Sequence, residues 1–174
     1  DLLVCAHGAS PRPTALEALT TEEYRRVSDV DVWGTIRVVQ QVLPFMRKQK
    51  SGSIVLISSF HVAGTYPDRT NYALAKAQID ALVRSICVEY AKFGINANCI
   101  APGQVEGHRS RHFATETMRE TGQNIVPMWC ARMPSGKLVD PEDIATAVQS
   151  LANCPSINGQ TLFIDGGATS SLWY

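Results

Sequence analysis

The chain has 174 residues, 45% of them apolar and 18% charged, with a formal net charge of zero. This is the composition of one globular domain with a sizeable core. Balanced charge excludes nucleic acid or an anionic membrane as the main partner, and no apolar run approaches a membrane-spanning length.

In chain order, Asp1–Ala6 reads as a short apolar strand ending near Gly8, followed by a loop with two prolines. Thr20-Thr21-Glu22-Glu23 carries a hydroxyl cap and first-turn acids, the signature of a helix start. That helix is expected to run to about Lys50, with an interruption at Pro44. Ser51-Gly52 then turns the chain into SIVLIS, a strand apolar throughout and so covered on both faces. After the loop FHVAGTYPDRT, a second long helix spans Asn71 to about Phe93, with Gly94 at the left-handed C-terminal position. INANCIA is the next strand and breaks at Pro102-Gly103. Residues 104–140 are polar and rich in breakers. They are expected to be the least regular segment, a substrate lid with one short helix over FATETMRETG. A helix from Pro141 to about Ala152 and a strand QTLFID follow, then Gly166-Gly167 and the tail SSLWY. Strands alternating with helices predict an α/β fold, a parallel sheet with right-handed crossovers.

The five cysteines, Cys5, Cys87, Cys99, Cys130 and Cys154, are scattered without a Cys-x-x-Cys. They read as free thiols in a reducing, cytoplasmic setting. His108 and His112 lie one helical turn apart, but no acid or cysteine is spaced to complete a metal site, so no metal is expected.

Chemistry concentrates between Ser53 and Lys76. Tyr72 and Lys76, four apart on a helix, share one face. A neighbouring ammonium favours the phenolate over the phenol, which makes the pair a proton donor and acceptor. Ser59, thirteen residues before Tyr72, stands at a strand end, where open α/β sheets bind ligands. Strand alternation points Ser58 to the opposite face, as a satisfied strand-end hydroxyl.

Ser59, Tyr72 and Lys76 at this spacing resemble the Ser-Tyr-Lys centre of the short-chain dehydrogenase/reductases. DLLV, DVDVWGTIRVVQQVLPFM, GINANCIAPGQV and GQTLFIDGG agree with the family in the right order, so the resemblance covers nearly the whole chain. It implies a Rossmann-like doubly wound sheet, of which this chain supplies strands 4 to 7 within one NAD(P)-binding domain. It implies an oxidoreductase interconverting a secondary alcohol and a ketone, such as a 3-oxoacyl thioester, a sugar or a steroid-like alcohol. Tyr72 would handle the proton. Lys76 would assist it and bind the nicotinamide ribose, and Ser59 would orient the substrate oxygen. Tyr72, Lys76, Pro102, Gly103, Val105 and Gly8 would border the cofactor, NAD or NADP, with the Val105 backbone meeting the carboxamide. A homodimer or homotetramer through the helices at about 22–50 and 71–93 is implied as well. The apolar excess of IDALVRSICVEYA fits such a second buried face.

The chain departs from the family pattern in three places. Asp31 stands where the family usually has an Asn whose helix bends and holds a relay water. A charge there would offset part of Lys76's effect on Tyr72. Cys5-Ala6-His7-Gly8 replaces Asn-Asn-Ala-Gly, leaving only Gly8. Gly107 replaces a Thr of the carboxamide site, for which Ser110 is a candidate substitute. These departures keep open a different reading, a catalytically weak binding or assembly subunit. No glycine-rich pyrophosphate turn occurs in the sequence. The chain is therefore expected to be the C-terminal two-thirds of an enzyme, inactive by itself.

Overall fold

A computed structural model of the chain describes residues 1–9 and 11–171, so the last three residues of the expected tail lie outside it. Strands β1 (Leu2–Cys5), β2 (Gly52–Ile57), β3 (Ile95–Pro102) and β4 (Thr161–Ile164) form one sheet in the order β1-β2-β3-β4, every pair parallel. The two central strands are buried along nearly their whole length because both faces are covered. On one face, Ile54, Leu56, Ala97 and Cys99 pack against helices α2 (Gly34–Gln49) and α3 (Thr70–Tyr90). On the other, Val55 and Ile100 pack against Leu151 of helix α6 (Pro141–Ala152). This is the doubly wound, Rossmann-like arrangement expected from the alternation of elements.

The first long helix is interrupted, but not at Pro44. Helix α1 (Thr21–Ser28), capped by the Thr20 hydroxyl, runs into a π-helical turn over Asp29–Trp33 and continues as α2. Pro44 sits on the exposed face of α2, where water can satisfy the carbonyl that loses its partner. The extra residue of the π turn rotates Asp31 and Val32 inwards while Val30 and Trp33 stay exposed. The Thr35 hydroxyl donates to the Asp31 carbonyl at 2.6 Å and holds that turn.

Gly94 takes the expected left-handed conformation at φ 72°, and its Cα faces the Lys50 carbonyl so closely that a Cβ would stand 2.4 Å away. That contact sets the starts of β2 and β3 side by side.

The segment 104–140 is far more regular than its composition suggests. It holds helices α4 (His108–Thr121) and α5 (Val126–Ala131). Gly107 offers no capping side chain, so Ser110 caps from inside: its hydroxyl accepts from the Gly107 N–H at 2.9 Å and donates to the Gly107 carbonyl at 3.0 Å. Pro127 fits the first turn of α5, where no backbone donor is needed. A parallel bridge between Val105 and Val139 ties the two ends of the segment together.

Candidate active site

The C-terminal ends of β1, β2 and β3 open on a cleft of about 1060 Å³, roofed by α4 and α5. Ligands bind at this end of open parallel sheets. Ser59, Tyr72, Lys76, Pro102, Gly103 and Val105 all line it.

Ser59 follows β2 in extended conformation and is buried. Its oxygen accepts weakly from the His61 N–H at 3.4 Å, and its proton has no acceptor among the described residues. Ser58 is committed elsewhere, donating to the Lys76 carbonyl at 3.1 Å, the satisfied strand-end role expected for it.

Tyr72, on the first turn of α3, is half-buried and its hydroxyl has no hydrogen-bond partner among the described residues. One turn on, the Lys76 ammonium lies 5.6 Å from the Tyr72 ring centre. Lys76 is 4% exposed, so its charge needs a partner. That partner is Asp31, 1% exposed, with an oxygen 3.0 Å from the ammonium. The Ile57 carbonyl accepts from the same ammonium at 3.4 Å, which leaves one of its three N–H groups uncommitted. The second Asp31 oxygen accepts from the Ala9 N–H. The π turn thus delivers a carboxylate to the lysine beneath the tyrosine. Gly8 lies against the same pair: a Cβ there would be 3.3 Å from both Asp31 Oδ2 and Lys76 Nζ.

Past β3, Val139 donates to the Gln104 carbonyl and accepts from the Glu106 N–H, both at 2.9 Å. In such a parallel bridge the N–H and C=O of the intervening residue, Val105, point the other way, and neither has a partner among the described residues. Gly103 is required by the chain itself, since a Cβ would be 2.9 Å from the Asp165 Cα. Asp165 fixes that crossing point. Burial works against its charge, but hydrogen bonds from the Thr169 hydroxyl and N–H and the Gly167 N–H outweigh it and hold the carboxyl below its usual range.

Ser110 does not stand in for a carboxamide-binding Thr, because capping α4 occupies its hydroxyl. His7 places a ring nitrogen 3.2 Å from the Thr35 hydroxyl, at the mouth of the same cleft. His108 and His112 stack with ring centres 6.4 Å apart. All five cysteines are free: Cys5 and Cys99 are buried, the other three half-buried. Burial pushes the Cys99 thiol up to about 12, so it stays protonated.

Three groups that line the cleft with Tyr72 carry no expectation from the sequence. The His61 ring meets Tyr72 edge-on at 5.4 Å and Tyr66 at 5.3 Å. Arg69 stands one turn before Tyr72, and Arg132 follows α5. A basic residue three positions before the tyrosine is a visible signal for Arg69. No local pattern marks Arg132.

A family model described as enoyl-(acyl carrier protein) reductase matches residues 1–169. The chain belongs to the short-chain dehydrogenase/reductase family. Among curated members, a 3-oxoacyl-[acyl-carrier-protein] reductase of Thermotoga maritima is 35% identical over 171 residues, which is 96% of this chain and 65% of that protein. A 3beta-hydroxysteroid dehydrogenase of Eggerthella lenta is 33% identical over 152 residues, 85% of this chain and 56% of that protein. Among solved structures, a gluconate 5-dehydrogenase from Burkholderia cenocepacia in complex with NADP and tartrate superposes with a TM-score of 0.88 at 29% identity. That superposition covers 99% of this chain and 66% of the other. The chain thus spans less than two thirds of the length of these short-chain dehydrogenase/reductase relatives. Among the described residues no helix is long and apolar enough to cross a membrane.

Proposed function

We propose that the protein carrying this chain is an NAD(P)-dependent oxidoreductase that interconverts a secondary alcohol and a ketone, with Tyr72 as proton donor and acceptor. One observation carries the reading: an unpartnered phenol hydroxyl stands above a buried ammonium in a large cleft that also holds the Ser59 hydroxyl. The residues present suit a nicotinamide cofactor. Val105 offers an open backbone N–H and C=O, the complement of a carboxamide, and Lys76 keeps one N–H for a ribose hydroxyl. Pro102, Gly103 and Gly8 would border the same group.

A bound nicotinamide supplies or takes the hydride. In the reductive direction Tyr72 gives its phenolic proton to the substrate oxygen, and Ser59 donates a hydrogen bond to that same atom. Lys76 stabilises the phenolate left behind, and Asp31 with the Ile57 carbonyl keeps the lysine in place. In the oxidative direction the phenolate takes the alcohol proton. The relatives named above act on a 3-oxoacyl thioester, a steroid alcohol and a sugar acid, and each is a candidate substrate type.

The test is a titration of NADH and NADPH against the protein, followed by nicotinamide fluorescence, with turnover measured on a panel of ketones. Enhanced fluorescence with one cofactor and saturable turnover are expected. Binding of neither cofactor would transfer the weight to a second reading, a catalytically weak binding or assembly subunit. The Asp31–Lys76 pair favours that reading in one respect, since the carboxylate offsets the lysine charge that serves Tyr72.

We also infer a homodimer or homotetramer through the outer faces of α2 and α3. Phe45 is 72% and Val88 83% exposed on these helices, and Val38 and Leu74 are exposed on them too, apolar surface that assembly would cover. Size-exclusion chromatography with light scattering is expected to give two or four copies. A monomer at all concentrations rejects the assembly.

A further inference from the structure

Arg12, Arg69, Arg109 and Arg132 line the cleft besides Lys76; Arg69 and Arg132 each stack on an aromatic ring, and nothing in the proton-transfer scheme uses these two. Arg69 is half-buried with its guanidinium 5.6 Å from the centre of the Phe113 ring. Among the described residues its guanidinium makes only a long bond, 3.5 Å, to the Pro11 carbonyl. Arg132 is half-buried too, with its guanidinium 4.2 Å from the centre of the Tyr66 ring. Stacking on aromatic rings holds both planar heads in position, and although Arg132 also hydrogen-bonds Tyr66, most of their N–H donors are unspent among the described residues. A relay of rings links Arg132 to the catalytic tyrosine, through Tyr66 and then His61 to Tyr72.

Asp68 offsets part of the local charge, but no ion pair does so among the described residues. Among the described residues no carboxylate lies within 4.0 Å of Arg69 or Arg132. Burial first, and then the charges of Arg109 and Arg132, lower the pKa of Arg69, although Tyr72 and Asp68 act against this. His61 adds no charge of its own, since burial and the charge of Arg69 push it down to about 4. Two acids on the same cleft wall are already engaged: Glu106 with Arg111 at 3.9 Å and Glu116 with Arg119 at 3.0 Å. Glu120 is exposed at the end of α4. Two half-buried guanidinium groups that line one cleft, each stacked on its own ring and each sensing the other's charge, form a receptor for an anion.

We propose that Arg69 and Arg132 form an anion subsite that binds a carboxylate on the substrate, making the substrate class an oxo acid and its hydroxy acid. The inference rests on the dehydrogenase reading for the reacting carbon, but the subsite itself is a binding claim. The residues come from the position before α3 and from the end of α5, and both line the cleft with Tyr72. A cofactor phosphate is the other source of such an anion, and the test separates the two.

The protein is titrated calorimetrically with glutarate, with dimethyl glutarate and with 2′,5′-ADP, as wild type and as Arg132→Gln and Arg69→Gln. Thermal unfolding checks that each variant is folded. Glutarate is expected to bind the wild type, to bind each variant at least tenfold more weakly, and to be unmatched by its ester. Kinetically, the ratio of kcat/KM for a keto acid over its methyl ester should fall at least tenfold in Arg132→Gln while the cofactor KM stays put. Unchanged glutarate affinity in both folded variants overturns the subsite. Weaker 2′,5′-ADP binding with glutarate unaffected overturns it as well, by assigning the arginines to the cofactor. Glutarate binding lost in the variants of a protein that reduces no ketone supports the subsite and defeats only the dehydrogenase reading.

Discussion

Tyr72→Phe is expected to lower turnover by about a hundredfold to ten-thousandfold, the range for a positioned general acid or base, while cofactor affinity changes by less than about threefold. The substitution removes one oxygen from a ring whose packing survives. His61 still meets the ring edge, and the Lys76 ammonium stays anchored by Asp31 and the Ile57 carbonyl. No protein hydrogen bond is broken, because the hydroxyl has no partner among the described residues. Stability should therefore stay close to wild type. The loss should appear in kcat more than in KM, since the proton is needed in the transition state and contributes little to ground-state binding. Steady-state kinetics beside a nicotinamide fluorescence titration checks both halves. Turnover within a factor of three of wild type would show that the proton travels through another group.

How much of this site can be read from the sequence depends on the range of the contacts that build it. Ser59, Tyr72 and Lys76 are legible because a strand end and one helical turn place them, and both are local features. Strand β2 is legible for a similar reason: covered on both faces, it is apolar from Ile54 to Ile57, whereas β3 also buries Asn96 and Asn98, whose amides donate to the Leu151 and Ile157 carbonyls. The inward turn of Asp31 is not legible from local pattern, and only the family resemblance points to a bend there and to a charge near Lys76. Its π-helical geometry has its reward in an ion pair with a lysine far along the chain, and no window of residues contains both. Pro44 misleads in the opposite direction, because the signal for a break is genuine but solvent absorbs its consequence. Helix α4 begins earlier than its composition suggests, since Ser110 supplies the cap from within the helix and Gly107 supplies only the backbone. Arg132 reaches the cleft from the segment 104–140, whose ends the Val105–Val139 bridge ties together, and no motif marks it.

The second large effect concerns the pair beneath the tyrosine. Lys76→Met should destabilise the fold by about 3–5 kcal/mol, because it strands the Asp31 carboxylate in a place with almost no access to water. Asp31→Asn should cost less. An amide keeps an oxygen for the Ala9 N–H or for Lys76, and the ammonium retains the Ile57 carbonyl. The double variant, Asp31→Asn with Lys76→Met, removes both charges and should recover most of what Lys76→Met alone loses. Urea unfolding of the four proteins closes this cycle, and a coupling of at least about 2 kcal/mol is expected for a desolvated pair. Losses that simply add would mean that water reaches the carboxylate. Activity should part company with stability in the same series. The Asp31 carboxylate offsets the charge of the ammonium it touches, so removing it leaves Lys76 a stronger stabiliser of the Tyr72 phenolate. Asp31→Asn is therefore expected to raise kcat/KM for alcohol oxidation by about threefold to tenfold, even as it lowers stability, whereas Lys76→Met lowers both. A fall in oxidation on Asp31→Asn would show that holding the lysine in place matters more than the charge it shares. The carboxylate would then be a positioning group for Lys76 and not a brake on Tyr72.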